Sequence, residues 1–114
     1  MRKLLEPIKI GNMELRNRVV LSAMAKYFCT NGYIGREYCE YYRNIAHGGT
    51  ALIIPGIMCV EPKWYGQHEQ PFLNDDKYIP GLKMAIDSVH EEGAKFACQL
   101  WMPGHLPYTQ EDYP

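Results

Sequence analysis

Gln99 closes a short apolar run, Phe96-Ala97-Cys98, with an amide that can donate and accept hydrogen bonds at once. That pairing is what recognition of a heterocyclic imide edge requires. Ser22-Ala23-Met24-Ala25 closes an earlier apolar run with mostly small residues, which let a ligand approach the main chain closely. Pro55-Gly56-Ile57 closes a third run, bending the chain and offering main-chain groups. If these runs are neighbouring parallel strands, their ends form one constellation suited to a flat, polar-edged ring system. The same residues also suit strand ends shaped only by turn chemistry, with Gln99 bonded to a neighbouring backbone.

Other chemistries find less support. Cys29, Cys39, Cys59 and Cys98 form no C-x-x-C pair, and their spacing fits neither a zinc knuckle nor a tight disulfide framework. They read as reduced thiols packed like small apolar residues. His47, His68, His90 and His105 show no H-x-x-x-H pattern, so no metal site is expected. The formal charge of −1 argues against a broad nucleic-acid or anionic-membrane surface. Arg2, Lys3, Arg16 and Arg18 alternate with apolar and acidic residues, as a solvated face does. No apolar stretch approaches the ~18 residues of a membrane span. The opening "MRKLLEPIKI" lacks the apolar core of a signal peptide, so a cytoplasmic location is expected.

With 114 residues and a 46% apolar fraction, the chain suits one small domain or part of a larger one. Its hydrophobic period switches repeatedly. Residues 8–15 alternate around Gly11-Asn12 and predict a hairpin. "RVVLSAM" (18–24) reads as a buried strand. Residues 25–34 lack periodicity and carry the turn signal Asn31-Gly32. A helix is predicted from Gly35 to His47, packing Tyr38, Tyr41, Tyr42 and Ile45 on the sheet and stopped by Gly48-Gly49. "TALIIPGIMCV" (50–60) reads as the second strand, with the strand proper ending near Ile54 because Pro55-Gly56 is awkward in a sheet. After a loop over 61–77, a second helix runs from Pro80 to Glu92 on the stripe Leu82, Ile86, Val89, with Glu91-Glu92 as its solvated end. "KFACQL" (95–100) is the third strand.

Buried strands alternating with helices imply a parallel sheet with right-handed crossovers. There is no G-x-G-x-x-G after the first strand and no Walker A motif. The α/β pattern therefore points to the start of a barrel with its amino-terminal end plugged by the hairpin.

"LLEPIKIGNMELRNRVVLSAM" is similar to the opening of Old Yellow Enzyme-type flavin oxidoreductases, chiefly through Leu15-Arg16-Asn17-Arg18-Val19. "HGGTALIIPG" resembles that family's second strand, and "FLNDDKYIPGLKMAIDSVHEEGAKFACQLW" its following loop, helix and third strand. The branch it most resembles is 2,4-dienoyl-CoA reductase and 2-enoate reductase. The resemblance implies an FMN-containing TIM barrel that takes hydride from NAD(P)H and reduces an activated alkene, a small-molecule substrate. It implies that Ala23, Met24 and Ala25 line the flavin largely through backbone. Ile57 faces the pyrimidine side, Gln99 bonds the polar edge, and Tyr27 lies near a substrate-contacting position. Ala23 stands where the family often has Pro, and Ala25 where many members have Cys or Thr. Met102 and His105 replace the His and Arg that follow the family's Gln-Leu pair.

A TIM barrel usually needs ~250 residues, and this chain holds about three of its eight strands. The expectation is one incomplete FMN-binding barrel domain over 1–114, inactive as this piece alone. In the family, the catalytic residues and phosphate-gripping groups come from later strands, and an iron–sulfur cluster is implied only for a longer parent chain. Two alternatives stay open: a non-enzymatic truncated remnant, and a flavin-binding module completed by another chain.

Overall fold

A computed structural model describes residues 2–62 and 68–102. The hairpin forms as its alternation dictates: β1 (Ile8–Ile10) pairs antiparallel with β2 (Met13–Leu15), Ile8 opposite Leu15. The chain then enters β3 (Val20–Leu21), α1 (Arg36–His47) and β4 (Leu52–Ile53). β5 (Met58–Cys59) follows four residues later. α2 (Ile79–Glu91) has Pro80 in its first turn, where a missing N–H leaves no hydrogen bond unmade. β6 (Lys95–Phe96) and β7 (Leu100–Trp101) complete the described chain.

β3, β4 and β6 form one parallel sheet in that order, with Leu21, Ile53 and Phe96 in register. Each pair is joined by a helical crossover, as parallel pairing requires. The strands are much shorter than the apolar runs that contain them. The second run breaks at 54–57 and resumes as β5; the third breaks at 97–99 and resumes as β7. β5 and β7 then pair with each other in a second parallel ladder, Met58 opposite Leu100. The reading of 95–100 as one strand is therefore corrected to two strands with a break. The reading of 50–60 as ending near Ile54 holds for the first sheet and misses β5.

Period-two alternation divides the core between the two faces of the sheet. Ile53 joins Tyr38, Tyr42 and Ala46 of α1 and Ala85 and Val89 of α2 in one buried cluster, with Leu21 and Phe96 packed against it. Leu52 joins Leu15 of the hairpin on the other face, flanked by Ile8, Met13, Ile54 and Ala97. Burying a large side chain fully, as Leu15 and Ile53 are buried, stabilises by ~1.5–3 kcal/mol each. The helix stripes lie close to those the periodicity predicts, although Ala85 rather than Leu82 is the fully buried contact in α2.

The amino-terminal ends of the strands are tied by side chains. Arg16 donates from Nη2 to Ala46 O (2.6 Å) and Thr50 O (3.0 Å), and from Nη1 to Glu92 O (2.7 Å). One guanidinium thus supplies donors to carbonyls at the carboxyl ends of both helices, where the helix dipole favours positive charge. Buried Asn17 donates to Gly49 O (2.8 Å) and accepts from Val19 N (2.9 Å). Glu92 also differs from its reading as a solvated end. Its carboxylate meets His47 Nδ1 at 2.9 Å and Arg43 Nε at 3.1 Å, joining the end of α2 to α1. These contacts, His47 first and then Arg43, hold its carboxyl below the ordinary value of 4.5.

Candidate functional site

The opposite ends of the strands bring the sequence-selected residues together through main chain. Gly56, in the break between β4 and β5, packs directly on the end of the first strand run. A Cβ placed on Gly56 would fall on the Met24 carbonyl and 2.6 Å from the Ala25 Cα. Only a residue with no side chain permits that approach. On its other side the same break meets the third strand run, where Met58 N donates to Gln99 O at 2.9 Å. Met24-Ala25, Gly56-Ile57 and Gln99 are consequently lateral neighbours in that order.

Their side chains face different surroundings. Met24 and Gln99 are exposed, and Ile57 and Ala23 are half-buried. The Gln99 main chain is occupied by Met58, while its amide side chain lies open at the edge of the constellation. Tyr27 is exposed two residues beyond Ala25, and among the described residues no hydrogen bond or ring contact joins it to the others. The structure therefore brings Ala23, Met24, Ala25, Ile57 and Gln99 into one wall and leaves Tyr27 beside it. His105 lies outside the described residues.

Behind the wall stands an aromatic layer from α1. Tyr38 and Tyr42 lie 4.8 Å apart between ring centroids, Tyr41 and Tyr42 5.0 Å, and Phe28 and Tyr41 5.1 Å. Lys26 places its ammonium 5.5 Å over the Tyr41 ring. The tyrosines do pack the helix on the sheet, as their spacing predicts. Burial pushes the Tyr42 phenol up to about 12, against the opposing pull of a hydrogen bond with the Gly56 backbone. Burial, and then the neighbouring Tyr42, pushes Tyr38 up further still. Burial, and then Cys39, raises the Cys29 thiol to about 12. The Tyr38 and Tyr42 phenols and the Cys29 thiol are thus neutral near pH 7. Cys29, Cys39 and Cys59 are buried free thiols, whereas Cys98 is free and exposed, unlike the uniformly packed thiols expected.

A further ladder braces the wall from above. Residues 71–73 run beside β5, with Cys59 N bonded to Pro71 O and Leu73 N to Cys59 O, both at 2.8 Å. Phe72 N reaches Gly32 O at 3.0 Å. Asn31 and Gly32 form the tight turn their types predict, with φ of 50° and 79°. A side chain on Gly32 would collide with the Phe72 ring. Phe72, Tyr78 and Cys59 form a small core there, with Trp101 packed against it.

Sequence reasoning missed Arg16 as a clamp and Tyr42 as a support for Gly56. The motif containing Arg16 was visible, but its acceptors lie 30 to 76 residues away. Tyr42 read as packing, which it is; its link to Gly56 depends on where the second strand breaks.

The fold has counterparts in known proteins. The chain belongs to the NADH:flavin oxidoreductase / NADH oxidase family, whose model matches residues 3–113. Its resemblance to Old Yellow Enzymes is thereby shown, and the fold is the amino-terminal part of their TIM barrel. It is 35% identical over 108 residues to a metal reductase of Desulforamulus reducens, covering 93% of this chain and 16% of that protein. A solved 2-naphthoyl-CoA reductase superposes with a TM-score of 0.82 at 32% identity, covering 87% of this chain and 15% of the other. Old Yellow Enzyme from Pichia sp. superposes with a TM-score of 0.77 at 26% identity, covering 87% and 26%. The chain therefore spans about a quarter or less of these relatives. No helix among the described residues is long and apolar enough to cross a membrane.

Proposed function

We propose that this chain forms the strand-end wall of an FMN site in an oxidoreductase that uses NAD(P)H to reduce activated C=C bonds of the enoate or dienoyl type. The observation that carries the reading is the meeting of Met24-Ala25, Gly56-Ile57 and Gln99 at the carboxyl ends of adjacent parallel strands. Ligands in such folds bind at those ends. The donor set fits a flavin: an open amide with both donor and acceptor character, beside main chain stripped of bulky side chains. Ala23, Met24 and Ala25 would line the ring, Ile57 would meet its pyrimidine side, and Gln99 would bond its polar edge. Tyr27 would lie toward the substrate. The chemistry FMN supplies when bound is hydride transfer from a reduced nicotinamide to the alkene.

Within that site the chain's residues bind and orient. A donor at the polar edge stabilises negative charge there, by the logic of an oxyanion site. The proton donor and the phosphate-gripping groups are assigned to later β/α units, as the family resemblance implies. A second reading, a flavin-binding module completed by another chain, is favoured by the sheet itself. Among the described residues, β3 and β6 each have an unpaired outer edge.

The test is amide NMR of the isolated chain titrated with millimolar FMN. Shifts confined to residues 23–25, 57–58 and 99–101 are expected, with no FMN retained through gel filtration and no NAD(P)H oxidation. Shifts elsewhere, or none, would overturn the flavin site. A yellow monomer with turnover would overturn the dependence on further units.

A further inference from the structure

Gly56 is confined from two sides. In front of it, the Met24 carbonyl and the Ala25 Cα occupy the place where a side chain would begin. Behind it stands Tyr42, 1% exposed and held by the rings of Tyr38 and Tyr41. The Gly56 backbone lies close enough to the Tyr42 hydroxyl to act on its titration. Non-bonded carbons settle at about 3.5–4.0 Å, so a methyl on Gly56 would push the two strand ends apart by about 1 Å. The displacement would pass to Ile57 and Met58, and through the 2.9 Å bond of Met58 N to the Gln99 main chain.

We propose that Gly56, backed by Tyr42, is a positioning residue that sets the separation between the Met24-Ala25 half and the Ile57-Gln99 half of the wall. The role rests on the flavin reading above. A rigid planar ligand spanning both halves is sensitive to their spacing, since a shift of about 1 Å in a positioning element can cost up to about a hundredfold. In this role Gly56 acts through the main chain of its neighbours.

The experiment compares the wild-type chain with Gly56→Ala, Tyr42→Phe and Gly81→Ala by amide NMR and thermal unfolding, with and without millimolar FMN. Gly81→Ala is the steric control: its new methyl would meet the Ile34 carbonyl at 2.9 Å, away from the wall. In Gly56→Ala the Met24 and Ala25 amides should move before any ligand is added, and FMN affinity should fall about tenfold or more. Tyr42→Phe, which keeps the ring and removes the hydroxyl, should weaken FMN by a few-fold with nearly unchanged melting. Gly81→Ala should melt lower yet keep the wild-type FMN response. Unmoved Met24 and Ala25 amides in Gly56→Ala, an undiminished FMN response in both Gly56→Ala and Tyr42→Phe, or an equal loss in Gly81→Ala would overturn the proposal. If Gly56→Ala does not fold, a wild-type FMN response in Tyr42→Phe alone overturns it. A wild-type chain silent toward FMN overturns the flavin reading, and the positioning role with it. That failure is recognised by the missing wild-type response, independently of the ligand-free shifts in Gly56→Ala.

Discussion

At the amino ends of β3, β4 and β6, Arg16 and Asn17 reach the carbonyls of Ala46, Gly49, Thr50 and Glu92 with side chains. At the carboxyl ends, the same three runs meet through main chain alone, Gly56 on Met24-Ala25 and Met58 on Gln99. The difference follows from what each end must do. A clamp gains from long, directional, charged donors that bridge distant elements. On the proposed flavin reading, a wall for a flat ligand gains from the removal of side chains at its closest approach. The outward side chains left at the top, Met24, Leu100 and Met102, are correspondingly exposed.

The sharpest way to break the contrast is to remove the clamp. Arg16→Ala removes a charged donor from three carbonyls, of which Ala46 O keeps Gly49 N, and should cost about 2 kcal/mol in chemical denaturation, while leaving the FMN-induced shifts of the folded fraction at their wild-type positions. Arg16→Lys should recover only part, because an ammonium lacks the planar fork. Loss of the FMN response in folded Arg16→Ala would show that the two ends are not separable.

Gln99→Leu tests the other end. An exposed side chain with no partner among the described residues should change stability by less than about 0.5 kcal/mol, yet weaken FMN about tenfold, which is about 1.4 kcal/mol. A stability loss without an affinity change would return Gln99 to a turn residue.

The smallest effect concerns acid. The Glu92 carboxyl is held low by His47 and Arg43, so it contributes stability that is fully present above its ordinary value of 4.5. That contribution is lost as pH falls through the lowered folded-state value. Melting followed from pH 6 down to pH 3 should decline more steeply in the wild type than in Glu92→Gln. Identical acid profiles would reduce the His47–Glu92–Arg43 contact to an incidental surface pair.

Much of this organisation was legible in the residues. The switch from period two to period 3.6 located both helices within a residue at each end, and buried runs between them implied parallel pairing. The breaks were less visible. "TALIIPGIMCV" is apolar on both sides of Pro55-Gly56, so hydrophobicity alone could not show that β5 resumes and pairs with β7. "KFACQL" hides its break in the same way. The candidate wall was legible as a list of strand ends, because a parallel sheet places all such ends on one side. That Gly56 makes the contact, and that Tyr42 stands behind it, depended on tertiary spacing that no local pattern carries.

The long reach of Arg16 has a consequence in time. A chain made amino end first exposes this side chain well before its acceptors exist. Ala46 and Thr50 become available with the first β/α unit, and Glu92 only after the second. The guanidinium can therefore engage in two instalments, recording how much of the growing barrel has been laid down.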